Sequence, residues 1–406
     1  MEPWSDDENS PPSGFIFRTI FPMKNFTFRM PRRIEIGFSK SRELTSIVTD
    51  MKLEKLLIVV DRSLHELGMT EPMLADLTRA GVDFTLFDKI MHEPTIAEVD
   101  RAIAELNVGN TFDAVIGIGG GSTIDVAKLL AVSGGFEGSV KRYVGTDMIE
   151  KAGVPMIMIP TTSGTGAEAT PNAIVHDVEE ECKKGVVSPY LIPDLVILDP
   201  ELTFSLPPKI TAETGVDAFT HAIECFICNK ATPMSDVVAI DAMRLLSKYL
   251  RRAVEHGKND TEARYYTALG SLYGGIAITN SGTGGVHALA YPLGGKYHIS
   301  HGLSNAILLA EVMEFNAQAV PEKFIRVADA MELDTGGLSE EQIVQKTVAA
   351  IRQLVRDVGI RIEGFDASDR VLDDLAQSAM TVQRLLQNNP RPISYDDARQ
   401  IYKRIL

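Results

Sequence analysis

Hydrophobic and polar positions divide this chain into two parts with different periods. In the first part the apolar residues fall in short runs. Phe26-Thr27-Phe28-Arg29-Met30 and Arg33-Ile34-Glu35-Ile36-Gly37 alternate apolar and polar, as half-buried strands do. Leu56–Val60 and Ala114–Ile118 are continuous apolar runs, and Asp83–Phe87 and Val154–Ile159 are further strand candidates. Helical sequence from about Pro72 to Ala80 and from Ile96 to Leu106 stands between them. Strands alternating with helices predict an α/β domain with a mostly parallel sheet covered on both faces. After Pro207-Pro208 the period becomes helical. Amphipathic segments over approximately 211–228, 236–256, 261–280, 301–316, 320–331, 339–358, 369–386 and 395–405 predict an all-α domain. Gly282 to Gly302 reads as a loop-rich interruption. The expected division is a disordered tail over 1–24, an α/β domain over 25–205 and a helical domain over 206–406.

Composition narrows the function classes. The net charge is −15 with no Lys/Arg-rich run, which argues against a nucleic-acid partner. No apolar stretch approaches the roughly 20 residues of a membrane span. Cys182, Cys225 and Cys228 are too few for a disulfide scaffold and suit a reducing, cytoplasmic setting. Met1 to Gly14 is acidic and rich in Pro and Ser, a composition that cannot offset its ordering entropy, and Met23 is a candidate start.

Three loops at the ends of predicted strands carry candidate chemistry, because ligands of such sheets bind beyond the strands' carboxyl ends. Asp61 ends the first apolar run; it suits a ribose hydroxyl or a helix cap equally. Gly119-Gly120-Gly121-Ser122 joins a strand to a helix. It is neither Gly-x-Gly-x-x-Gly nor a P-loop, and Ser122 with Asp125 could form a capping box. A cap needs one glycine at most, so three in a row favour a phosphate held on backbone N–H groups. Thr161-Thr162-Ser163-Gly164-Thr165 is a hydroxyl-rich loop of low specificity. In the second part, Asp217 and His221 stand four apart on a helix and so share a face. With His287 and His301 they make one carboxylate and three imidazoles, a set suited to a divalent transition metal. The competing reading is a helix-face hydrogen bond plus two structural histidines. Cys225-x-x-Cys228 lacks the second Cys pair of a zinc ribbon, so helix packing explains it.

Taken together, and in this order, these motifs resemble the iron-containing (group III) alcohol dehydrogenases from about Phe26 to the C-terminus. The resemblance implies an N-terminal nucleotide-binding domain and a C-terminal metal domain of dehydroquinate synthase-like architecture. It implies metal ligands at Asp217, His221, His287 and His301, with Fe2+ expected and Zn2+ chemically adequate. It implies NAD contacts at Asp61, Gly119, Gly120, Ser122, Thr161, Thr162 and Thr165, with Lys183 and Asn172 near the nicotinamide ribose. Asp61 would repel a 2′-phosphate, favouring NAD over NADP. Tyr291 replaces a frequent second histidine and becomes a candidate for substrate contact. Ser300 replaces a usual Pro, and Glu93 of His92-Glu93-Pro94-Thr95 replaces a usual Asn. The implied activity is hydride transfer between NAD(H) and a small primary alcohol or aldehyde, including diols and hydroxyaldehydes, in a homodimer or larger assembly. Pairing of a Phe26–Gly37 hairpin across a two-fold axis would build that dimer. The ligand-bearing segments carry few cations, Lys230 and Lys296 being nearest in sequence, which predicts an uncharged substrate. The alternatives are a lyase of the dehydroquinate synthase type and a non-catalytic metal-binding protein.

Overall fold

The apolar runs of the first part become a six-stranded, all-parallel sheet in the order β1-β9-β6-β4-β2-β3. The strands are β1 Arg33–Ile36, β2 Lys55–Asp61, β3 Asp83–Ile90, β4 Ala114–Gly119, β6 Met156–Pro160 and β9 Leu195–Leu198. β5 Gly145–Thr146, β7 Asn172–Asp177 and β8 Cys182–Val187 form a second sheet in the order β5-β8-β7. The computed structural model describes residues 25–90, 93–180, 182–361 and 365–406. The expected tail over 1–24 and His92 lie outside those residues.

β2 shows why a central strand reads as an unbroken apolar run. Leu57 and Val59 pack into the core on one face, with Val115 and Met158. Leu56, Ile58 and Val60 pack into the core on the other, with Ile116, Ile118, Ile157 and Ile159. Both faces are covered, so neither set of alternate positions can be polar.

Phe26–Met30 is not a strand, and no hairpin forms. The Arg29 backbone instead exchanges two hydrogen bonds with the Asn280 amide, at 2.7 and 2.8 Å, at the end of the helix Thr261–Asn280. β1 pairs in parallel with β9 at the sheet edge, Arg33 opposite Leu195. Alternation identified a half-buried segment but could not identify its partner. β7 and β8 are an antiparallel pair that the hydrophobic pattern concealed, since β8 reads Cys-Lys-Lys-Gly-Val-Val.

The second part is helical among its described residues, beginning with Pro208–Ile227. The stretch read as a loop contains the helix Gly285–Tyr297, despite three glycines and an internal Pro292. Val286, Leu289 and Leu293 are fully buried there, and that packing outweighs poor propensity. The segment over 369–386 is two helices, Asp369–Ala379 and Gln383–Leu386, rather than one.

The two parts meet closely at Gly166 and Gly275. Gly166 has φ +60°, and a Cβ on Gly275 would lie 2.4 Å from the Gly166 carbonyl oxygen. Ala in a helix interior gains about 1 kcal/mol over Gly, whereas overpacking a rigid contact costs about 1–3 kcal/mol. Gly275→Ala should therefore lower stability despite its better helix propensity, as a lower midpoint in urea unfolding.

Candidate active site

Asp217 and His221 lie on the helix Pro208–Ile227, which is buried along most of its length. His287 comes from the helix Gly285–Tyr297, and His301 begins the helix His301–Ala317. The four donor atoms lie within 4.8 Å of one another. Asp217 Oδ1 is 3.6 Å from His221 Nε2, 3.9 Å from His287 Nε2 and 3.8 Å from His301 Nε2. Tetrahedral coordination at about 2.0–2.2 Å sets donors roughly 3.3–3.6 Å apart. The carboxylate–imidazole separations reach 3.9 Å, a few tenths of an ångström wider, and the widest donor pair reaches 4.8 Å, about 1 Å wider.

Hydrogen bonds settle which nitrogens face the centre. His221 Nδ1 donates to the Gly164 carbonyl at 3.2 Å, and His287 Nδ1 to Glu224 Oε2 at 2.6 Å. A carbonyl and a carboxylate can only accept, so both Nε2 atoms present lone pairs inward. Asn305 Nδ2 reaches Asp217 Oδ1 at 2.7 Å, His301 Nε2 at 3.1 Å and His287 Nε2 at 3.2 Å. One amide thus spans a carboxylate and two imidazoles. With a buried carboxylate and two inward imidazole lone pairs, the cluster is short of positive charge, and these residues fit a divalent cation.

The titration behaviour agrees. Burial pushes the His221 and His301 imidazoles below their ordinary value, with Asp217 only partly offsetting it. Burial alone would raise the Asp217 carboxyl. His221, His301, His287 and the Asn305 amide outweigh it and hold the group below the usual range.

Glu224 and Asn305 escaped the sequence reading. Both carried a helical signal: Glu224 follows His221 by three residues, and Asn305 follows His301 by four. Ser300, where the resemblance expects Pro, caps the helix of His301 by accepting from the Leu303 N–H, and its hydroxyl donates to Glu213 Oε2 at 2.5 Å. Cys225 and Cys228 are buried in helix packing, and burial raises both thiols.

A cleft of about 430 Å³ opens beside this cluster. It joins Ser122, Thr165, Asn172 and Lys183 to His221, His287, Tyr291 and His301. Gly119, Gly120, Thr161 and Thr162 stand behind that wall: the Thr161 N–H donates to the Gly119 carbonyl, and Thr162 packs on Gly120. A Cβ on Gly121 would lie 2.7 Å from Thr165, so this glycine is required for the hydroxyl loop to close on the turn. Gly120 caps the helix Gly121–Val132 without a side-chain bond, so Ser122 and Asp125 form no capping box. Asp125 Oδ2 instead accepts from the Ile174 N–H. Lys128, fully buried, donates to the Ala167 and Thr170 carbonyls at 2.8 and 3.1 Å and ties the hydroxyl loop to the glycine helix.

Asp61 lies on the neighbouring strand, one residue past the pair Val60–Ile118. Its Oδ1 accepts from the Leu64 N–H, so the capping reading holds. Lys183 forms an ion pair with Glu93 at 2.9 Å. Tyr291 is beside His301, with ring centroids 5.8 Å apart. Lys230 and Arg384 also reach the cleft. The ligand-bearing segments are themselves poor in cations; Arg384 arrives from near the C-terminus.

Comparison with known proteins is consistent along the chain. A family model described as "Iron-containing alcohol dehydrogenase" matches residues 31–200, and "Fe-containing alcohol dehydrogenase family, C-terminal" matches 211–406. Long-chain-alcohol dehydrogenase 1 of Geobacillus thermodenitrificans is 39% identical over 378 residues, covering 92% of this chain and 95% of that protein. The crystal structure of a 1,3-propanediol oxidoreductase superposes with a TM-score of 0.89 at 32% identity, covering 94% of this chain and all of that one. The sulfoacetaldehyde reductase of Bifidobacterium kashiwanohense, solved with NAD+, superposes at 0.84 with 28% identity, covering 94% and 99%.

Two outcomes follow from the cluster. Glu224→Gln should weaken divalent-ion affinity about 10- to 100-fold, the usual loss for an outer partner of a ligating histidine, as read by chelator competition. In the unfolded chain the imidazoles take up protons below about pH 6.5, whereas the buried His221 and the half-buried His301 resist doing so. The metal-free fold should therefore hold its stability from pH 8 down to about 6.5 with respect to these groups and lose it below, as read by melting temperature against pH.

Proposed function

The chain belongs to the iron-containing alcohol dehydrogenase family, and from that premise we propose that it transfers a hydride between NAD(H) and a small primary alcohol or its aldehyde. The observation that carries the reading is the convergence of four electron-rich donors on one side of a cleft whose other side is a glycine turn. Asp217, His221, His287 and His301 would hold the ion, iron by family and zinc by equal chemical fitness. A divalent ion there supplies Lewis-acid polarisation of the substrate oxygen.

The chain's own residues do the positioning. The backbone N–H groups at Gly119–Ser122 would receive the pyrophosphate, with Thr161, Thr162 and Thr165 donating from the facing loop. The Asp61 oxygen that does not cap Leu64 would accept from a ribose hydroxyl and disfavour a 2′-phosphate. Asn172 and Lys183, at the ends of the β7–β8 pair, would bracket the nicotinamide ribose. Glu224 and Asn305 fix the imidazole and carboxylate orientations, so the reacting oxygen meets a preset site. Burial holds the Tyr291 phenol above its ordinary range, with Arg384 opposing. Tyr291 therefore keeps its proton at neutral pH and acts towards substrate as a donor.

His287→Ala and His301→Ala test the assignment. Each should lower metal content and NAD-linked alcohol oxidation together, while NAD binding survives because the glycine turn lies in the other domain. Full metal occupancy with wild-type turnover would remove that histidine from the site. Better use of NADP than NAD by the wild type would remove Asp61 from its role.

A further inference from the structure

Three cations line the cleft, and they are not equivalent. Lys183 is neutralised by Glu93 at 2.9 Å. Lys230, just beyond the metal helix, and Arg384 are both exposed, and they differ in the geometry of their charge, one a compact ammonium and the other a planar guanidinium. Arg384 sits on the helix Gln383–Leu386 and makes neither an ion pair nor a hydrogen bond among the described residues. Its guanidinium passes beside the β8 backbone, where a Cβ on Gly185 would lie 3.9 Å from Nη2. Tyr291, which lines the same cleft, lies beside His301 with ring centroids 5.8 Å apart. Arg384 thus shares a cavity with Tyr291 and the donor cluster. Its neighbourhood is held: Asn388, one turn further on, donates to the Thr283 carbonyl at 2.9 Å. A planar guanidinium suits bidentate binding of carboxylate or sulfonate oxygens, and it holds its charge at every accessible pH.

We propose that Arg384 forms an anion subsite, so that the preferred substrate is a short alcohol or aldehyde bearing a carboxylate or sulfonate at the end remote from the reacting carbon. The alcohol oxygen goes to the Asp217–His301 cluster and the anion to Arg384. In oxidation the hydroxyl carbon loses a hydride to NAD+, its oxygen loses a proton to solvent, and the anionic group is unchanged. The substrate statement rests on the dehydrogenase reading; the binding statement does not.

The test compares 3-hydroxypropanoate and 2-hydroxyethanesulfonate with 1-propanol and 1,3-propanediol, in wild type, Arg384→Leu and Arg384→Lys. Propanoate and ethanesulfonate binding to the protein, with and without NAD, is measured beside it by calorimetry. Charge-assisted hydrogen bonds of this kind correspond to about 10- to 100-fold. The wild type should favour the anionic alcohols in kcat/KM, and R384L should lower the anionic-to-neutral ratio by that factor. R384K should retain part of it, and propanoate or ethanesulfonate should bind about 10-fold or more weakly to R384L. The larger loss of the two distinguishes carboxylate from sulfonate. If no alcohol is oxidised but anion binding still depends on Arg384, the dehydrogenase reading fails and the subsite stands. An anionic-to-neutral ratio and anion affinity unchanged in R384L would overturn the proposal, as would weakened NAD binding with that ratio intact.

Discussion

A carboxylate buried to 2% exposure must be matched, and Asp217 is that carboxylate. The groups nearest to it do not match it fully. Two of the three imidazoles have their Nδ1 protons committed elsewhere, to Gly164 and Glu224, and so turn lone pairs towards the carboxylate. The Asn305 amide donates to Asp217 Oδ1 and lies within hydrogen-bond reach of the His287 and His301 Nε2 atoms. What satisfies such a pocket is a cation with several open positions. Much of the helical domain serves this condition. The helix Pro208–Ile227 is submerged so that Asp217, His221 and Glu224 can share one face. A Cβ on Gly302 would lie 2.4 Å from the Glu213 carbonyl, which shows how tightly the His301 helix is drawn against that helix.

The other side of the cleft is organised by a different buried charge. Lys128 has no exposure, and burial pushes its ammonium down while Asp125 and Glu168 offset part of the cost. Its donors go to backbone carbonyls of the loop that carries Thr161 to Thr165. The glycine turn and the hydroxyl loop are thereby one rigid piece. The Gly166–Gly275 contact then fixes that piece against the helix Thr261–Asn280. Each side of the cleft is thus held by a buried charge of its own, Lys128 on the glycine-turn side and Asp217 in the donor cluster.

Much of this was legible in sequence, for reasons that particular residues show. Asp217 and His221 share a helix face by spacing alone, and the central strands announced themselves because both faces of β2 are buried. His287 and His301 could be collected by residue type, but nothing in their spacing showed that they meet Asp217. Glu224 and Asn305 carried helical spacings that were not used. The helix Gly285–Tyr297 was hidden by its glycines, because its stability comes from Val286, Leu289 and Leu293 in a core assembled by other segments. The antiparallel pair β7–β8 was hidden by its lysines, one of which reaches the cleft. Arg384 was out of reach of any local reading, since some 80 residues separate it from His301 in the chain.

The central claim is that one carboxylate and three imidazoles, from three helices, hold a divalent ion. X-ray absorption fine structure at the metal edge of the loaded protein reads the donor set directly. The account predicts a first shell of nitrogen and oxygen at about 2.0–2.2 Å, with the outer-shell scattering of about three imidazole rings and no sulfur. A sulfur scatterer near about 2.3 Å, which would place the ion on Cys225 or Cys228, or a shell without imidazole, would contradict it.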